Sequence, residues 1–253
     1  MKRFEEYANR YQCARMERRD GVLQVTLHTN GGPLLWNEVP HRELVHAFAD
    51  MGADPDNKVV ILTGTGDAFC NQIDAEAWDL SAPIGWDKVY WEGKHLLKNL
   101  LDIEVPMIAA VNGPATVHSE LAVLCDVVLA SDTTVFQDAA HFAAFGAVPG
   151  DGAHVVWPLL LGMNRGRYFL LTGQQLSAQE ALALGVVNEV LPGERLLPRA
   201  WELAQQFAQK PPLTLRYTRE VLTFHLKRLM GDALAFGLAL EGHGIVDVQR
   251  QAR

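Results

Sequence analysis

Apolar and polar positions alternate along Val22-Leu23-Gln24-Val25-Thr26-Leu27, which predicts a half-buried strand. Gly31-Gly32-Pro33 interrupts it. Asn37 then predicts a helix N-cap, with Pro40 in the first turn and the helix running to about Met51. Residues 58–63 make a compact apolar strand that stops at Gly64-Thr65-Gly66. A helix is expected over 86–101, and a strand over 106–111 closes at Asn112-Gly113-Pro114. A short helix from about Ser119 leads to a strand over 126–130. A helix over 178–184, closed by Gly185, precedes a strand over 186–191. Beyond Pro192 the pattern is almost wholly helical. Strands alternating with helices predict an α/β core over 1–194, followed by a helical C-terminal region over 195–253.

Composition narrows the class. At 253 residues and 49% apolar, the chain suffices for one large core. A net charge of −8, without clustered basic residues, argues against a nucleic-acid partner. The apolar runs 121–124 and 127–130 are far too short to span a bilayer. The stretch Met1-Lys2-Arg3-Phe4-Glu5-Glu6 lacks the apolar run of a signal peptide. No membrane partner and a cytoplasmic location are therefore expected. Cys13, Cys70 and Cys125 are widely spaced and odd in number, which predicts reduced thiols, with Cys70 a buried thiol rather than a nucleophile.

Several residues are candidates for chemistry. Leu234, Leu238, Glu241 and Ile245 recur at helical spacing, putting a carboxylate on an apolar stripe, although Gly242 and Gly244 weaken that helix. A buried carboxylate needs a partner or a raised pKa, and the second suits proton transfer; an ion pair between subunits is the alternative. His41 shares a face with Leu44, Val45 and Phe48, as a pocket residue binding a carbonyl oxygen or as a hydrogen-bonded core histidine. His141 and Asp151 are a base and its orienting carboxylate, or a satisfied histidine and a helix cap. His118 stands at a helix entrance, where the dipole disfavours the imidazolium and leaves a neutral N–H donor; a surface loop histidine is the alternative. Trp36, Trp78, Phe136 and Phe142 are pocket walls or core. No His-Glu-x-x-His arrangement occurs, and His141, Asp151 and His154 make no recognised metal set, so no metal is expected.

Most of the chain resembles the crotonase (enoyl-CoA hydratase/isomerase) superfamily. The resemblance rests on residues 59–64 with 68–74, on Pro106-Met107-Ile108-Ala109-Ala110-Val111-Asn112-Gly113 with Glu120-Leu121-Ala122, and on Val148-Pro149-Gly150 with residues 171–187. It implies a spiral of ββα turns and a C-terminal helical region that packs in homotrimers or hexamers made of two trimers. Two departures stand out. The glycine-rich turn that normally precedes Glu-Leu-Ala reads Ala115-Thr116-Val117-His118-Ser119, and Gln72 stands where glycine is usual. Both losses weaken thioester binding, because glycine allows close backbone approach and unusual φ values. Glu120 matches a family glutamate that helps activate water, or here only complements a helix dipole.

The usual hydratase glutamate before Pro-Gly is also absent, and Ala140-His141-Phe142 stands there, with Asp151 after Pro149-Gly150. This pattern, with His118-Ser119-Glu120, resembles the branch represented by 6-oxocamphor hydrolase, which cleaves a β-diketone by a retro-Claisen reaction. The resemblance implies a small-molecule diketone substrate and no cofactor. It implies His141 with Asp151 as the water-activating pair and His118 with Glu241 at the leaving enolate, while His41 stands as a substrate-binding candidate from its helix face. Activating water calls for a base near neutral pKa, which histidine supplies.

Overall fold

The computed structural model describes residues 1–78, 80 and 83–251. A hairpin of β1 (Ala14–Arg19) and β2 (Val22–Leu27) opens the fold, followed by β3 (Leu35–Trp36) and α1 (Glu38–Gly52). Asn37 caps α1 as expected, its side chain accepting from the Val39 N–H at 2.9 Å. Each later turn lays down one long strand, one short strand or bridge, and then helix. The first turn is β4 (Val59–Thr63), β5 (Gln72–Ile73) and α2 (Pro83–Leu101). The second is β6 (Met107–Val111), a bridge at Ala115 and α3 (Glu120–Val123). The third is β7 (Val127–Ser131), β8 (Val135–Phe136) and the helices α4 (Phe142–Phe145), α5 (Ala153–Leu161) and α6 (Met163–Thr172). The chain then forms β9 (Leu176–Ser177), α7 (Ala178–Ala183), β10 (Glu189–Leu191), α8 (Gly193–Ala208) and α9 (Pro212–Gln251). This is the ββα spiral that the resemblance implied.

The long strands form one sheet in the order β1-β2-β4-β6-β7-β10, parallel except for the β1–β2 hairpin. Val59, Ile61, Ile108 and Ala110 face α8 through Leu196, Ala200 and Ala204, while Val60, Leu62, Ala109 and Val111 face the main core. Hence β2 is buried along its whole length rather than half-buried, because a parallel interior is covered on both faces. Packing also crosses residue 194, since α8 lies on the sheet.

The short segments run beside the sheet as a second row. There β3 pairs with β5, Cys70 bridges Ala115, and Ala115 bridges Phe136. The spiral therefore brings the chain just beyond Trp36, Ala115 and Phe136 to one region, although these residues are far apart in sequence.

The long helix α9 is pinned to this core by Arg219, which is 1% exposed. Its Nε donates to Asp126 Oδ2 at 2.7 Å and its Nη1 to the carbonyls of Leu101 and Ile103. Helix continues through Gly242 and Gly244, where the sequence left it in doubt. At Gly242 the indole of Trp86 occupies the space a Cβ would need. Within Pro212–Val248 an 18-residue window reaches a mean hydropathy of 1.2 with 33% of it buried, enough by length and composition alone to cross a bilayer.

Candidate active site

Trp36 from β3, His41 from α1, His118 from the turn before α3, His141 from the turn after β8, Asp151 from the turn before α5 and Glu241 from α9 line one cavity of about 440 Å³. All five residues singled out for chemistry thus meet. Trp78 and Trp86 add apolar wall. Phe136 instead packs on Trp157, and Phe142 is 50% exposed, so neither lines the cavity. Phe136 is drawn into the second strand row, and Phe142 starts a surface helix.

Asp151 is the hub. Its Oδ2 lies 3.3 Å from His118 Nδ1 and 3.4 Å from His141 Nε2. His141 Nε2 also approaches Glu241 Oε1 at 3.7 Å. The other nitrogen of His141, Nδ1, is 2.7 Å from Asp138 Oδ1. Asp138, which sequence reasoning missed, is therefore the carboxylate that orients the imidazole, and Asp151 meets its working side. Glu241 lies against His141 rather than His118, because α9 passes beside the turn after β8. His118 is 2.5 Å from Glu120 Oε1 through Nδ1, and its ring lies over Trp36 at 3.9 Å between centroids. Its backbone has φ +46, left-handed geometry that costs a side chain about 1–3 kcal/mol. A histidine thus occupies a conformation that favours glycine, in the turn where the superfamily is glycine-rich.

The charges follow from burial. Burial disfavours the His141 imidazolium, yet Asp151 and Asp138 on either side outweigh it and hold its pKa well above the ordinary 6.5. Burial likewise opposes the His118 imidazolium, but Glu120 and Asp151 raise it overall. That direction is opposite to the lowering expected at a helix entrance, since two carboxylates at contact distance exceed the effect of one short helix. The raised pKa of His141 corrects the near-neutral value expected for the base. Burial would raise Asp151, but the charge and hydrogen bond of His141, then His118, hold it well below the carboxylate range. Glu241 is pushed well above the ordinary 4.5, first by burial and then by Asp151, and its Oε2 is buried with no hydrogen-bond partner among the described residues. The apolar-stripe argument for a carboxylate of raised pKa corresponds to this environment. Burial also raises Glu120.

Elsewhere in the lining, His41 Nδ1 is 2.7 Å from Oε2 of Glu92, a buried residue of α2 that sequence reasoning also missed. Burial lowers the pKa of His41 despite Glu92. His154 turns away, with Nδ1 on the Pro149 carbonyl at 3.0 Å. All three cysteines are buried free thiols, and burial raises the pKa of each, the environment of an inert thiol. Two sets, His118–Glu120–Asp151 and His141–Asp151–Glu241, each bring three possible metal-ligating atoms within 4.8 Å of one another. Such nitrogen–oxygen sets suit a transition-metal ion, and the same atoms are matched here as imidazole–carboxylate neighbours.

A sequence profile of the enoyl-CoA hydratase/isomerase family matches residues 17–246. The chain belongs to this family. Among family relatives, a carnitinyl-CoA dehydratase of Citrobacter koseri is 34% identical over 71% of this chain and 68% of its own. An enoyl-CoA isomerase/hydratase of Mycosarcoma maydis is 32% identical over 74% and 67%. The solved β-diketone hydrolase of the cyanobacterium Anabaena sp. PCC 7120, bound to (S)-3-oxocyclohexyl acetic acid, is 52% identical, with a TM-score of 0.94 over 96% of this chain and 98% of that one. An enoyl-CoA hydratase/isomerase of Mycobacterium paratuberculosis is 26% identical, with a TM-score of 0.86 over 94% and 95%. Within this enzyme family, the imidazole–carboxylate cluster occupies the turns whose sequence departs from the superfamily pattern.

Proposed function

We propose that this enzyme is a β-diketone hydrolase that adds water across a carbon–carbon bond of a neutral cyclic 1,3-diketone and releases a keto acid. The carrying observation is the chain His118–Asp151–His141–Glu241 on the wall of an apolar cavity. The described lining residues include no lysine or arginine, the side chains that recognise phosphate groups. The keto acid bound to the Anabaena hydrolase agrees in class. Closing its carboxyl carbon onto a carbon beside its ketone gives a bicyclic 1,3-diketone.

In the first step, neutral His141 takes a proton from water through Nε2 while the water oxygen bonds to one carbonyl carbon. Asp138 holds the ring, and Asp151 stabilises the imidazolium. The oxyanion then collapses, and the carbon–carbon bond breaks with its electron pair moving to the second carbonyl as an enolate. His118, beside Asp151, supplies a ring N–H where that charge develops. Protonated Glu241 delivers its proton to the enolate carbon, and His141, 3.7 Å away, returns the proton taken from water. No cofactor is needed, because the second carbonyl already delocalises the electrons.

The test is a panel of monocyclic and bicyclic 1,3-diketones, followed by loss of diketone absorbance and appearance of keto acid. His141→Ala is expected to cut kcat on the order of 10²-fold or more. Because His141 must be neutral to act, kcat/KM should rise with pH along a limb centred above 6.5. No turnover of any member, or a His141→Ala rate equal to wild type, sinks the proposal. Acyl-CoA hydration through Glu120 is a second reading, motivated by the relatives named for CoA substrates. Micromolar binding of acyl-CoA in calorimetry would favour it.

We further propose that copies of this chain assemble as homotrimers or hexamers through α9. Its exposed Tyr217, Val221 and Phe224 fall on one stripe at helical spacing.

A further inference from the structure

The cavity is flanked by a second imidazole–carboxylate pair. His41 is held through Nδ1 by Glu92, the counterpart of Asp138 for this ring, and the two side chains are 6% and 5% exposed. At that burial the contact decides which ring nitrogen carries the proton. A carboxylate accepts hydrogen bonds and does not donate them. The ring proton of neutral His41 therefore belongs on Nδ1, and the lone pair belongs on Nε2.

We propose that Glu92 is a positioning residue that fixes this tautomer, making His41 Nε2 a hydrogen-bond acceptor toward the cavity. The inference rests on the proposed hydrolysis. It reverses the sequence expectation for His41, since a ring bound to a carbonyl oxygen must donate. The O–H group available for Nε2 is the hydroxyl that water leaves on the tetrahedral carbon. Accepting from it orients the intermediate, and no proton need be transferred. The two histidines thus differ in kind. His141 lies between two carboxylates and close to Glu241, whereas His41 has one carboxylate and aromatic neighbours, Trp36 at 5.9 Å and Trp78 at 6.1 Å between centroids. The charged groups acting on His41 are Glu92 from α2, with His118 and Asp151 from the turns. An imidazole in such surroundings stays neutral at rest and keeps its lone pair.

The test uses the full-length protein labelled with ¹⁵N-histidine, with the His41 signals assigned by their loss in His41→Gln. The expected result is a neutral Nδ1–H ring in the wild type that loses this preference in Glu92→Gln. A neutral Nε2–H ring in the wild type overturns the proposal. On a diketone substrate, Glu92→Gln should lower kcat by about tenfold or more with a smaller change in KM, the scale on which carboxylates fixing a histidine tautomer act elsewhere. Glu92→Asp should recover part of the rate, and the double variant should be no slower than His41→Gln alone. Wild-type kinetics in Glu92→Gln, or single effects that multiply in the double variant, would also overturn it. If no diketone is turned over, the functional reading fails, while the tautomer measurement still decides the role of Glu92.

Discussion

Glu241 is the residue whose stability cost and chemical use can be separated. Burial and nearby Asp151 raise its pKa, so above the ordinary carboxylate value the folded chain keeps a proton that the unfolded chain has released. The folded state then binds more protons, and stability falls as pH rises through the interval between the two values. Glu241→Gln removes this titration and keeps the shape. It should raise Tm, by a margin that widens as pH is increased above about 4.5 and levels off past the raised pKa. Diketone turnover should fall in the same variant. Thermal unfolding from pH 4 to pH 9 checks this, and a variant melting below wild type throughout would contradict it. His118 pairs the same theme with backbone strain, since an unfavourable φ is retained where a ring must sit between Glu120, Asp151 and Trp36.

At the scale of elements, the position of Glu241 depends on how closely α9 approaches the turn that carries Asp151. A Cβ on Gly150 would fall on the carbonyl of Gly237, and a Cβ on Gly237 would fall on the Gly150 carbonyl and the His154 ring. Two glycines facing each other let backbone touch backbone, and Glu241 then lies one helical turn beyond Gly237. Both partners at this contact are rigid, so Gly237→Ala should cost about 1–3 kcal/mol, the usual range for overpacking. Activity should fall along with Tm, because moving α9 outward separates Glu241 from His141. Measuring Tm and kcat together tests this. Unchanged values of both would mean that the contact does not position the site.

At the scale of the whole molecule, the apolar stripe of α9 carries the assembly prediction. Tyr217, Val221 and Phe224 are 60%, 74% and 54% exposed on one chain, a surface that copies of the chain would cover on association. Native mass measurement should give about three or six times the 28.0 kDa of one chain. Val221→Glu combined with Phe224→Glu should lower that mass, and a wild-type mass of one chain would exclude the assembly.

Long-period features were legible in the amino-acid sequence. The strands of the main sheet apart from β1, the cap at Asn37 and the C-terminal helices follow from local patterning, and the order of motifs gave the family. His141, Asp151 and His118 were legible because the resemblance marked departures at their turns, whereas Glu241 and His41 were legible from the apolar helix faces they share. Spacing alone left each of them with an ordinary structural role. Tertiary structure decided the pairings. Asp138 and Glu92 carry no sequence signal, since an isolated carboxylate near a turn or on a helix face looks solvated until its partner is known. The protonation of His118 and His141 was likewise out of reach. It depends on carboxylates brought within 4 Å by three separate turns and one distant helix, in surroundings that exclude water. The sequence determined which groups the enzyme has; the fold decided which of them share a proton, because electrostatic interaction depends on distance and burial, and neither is local along the chain.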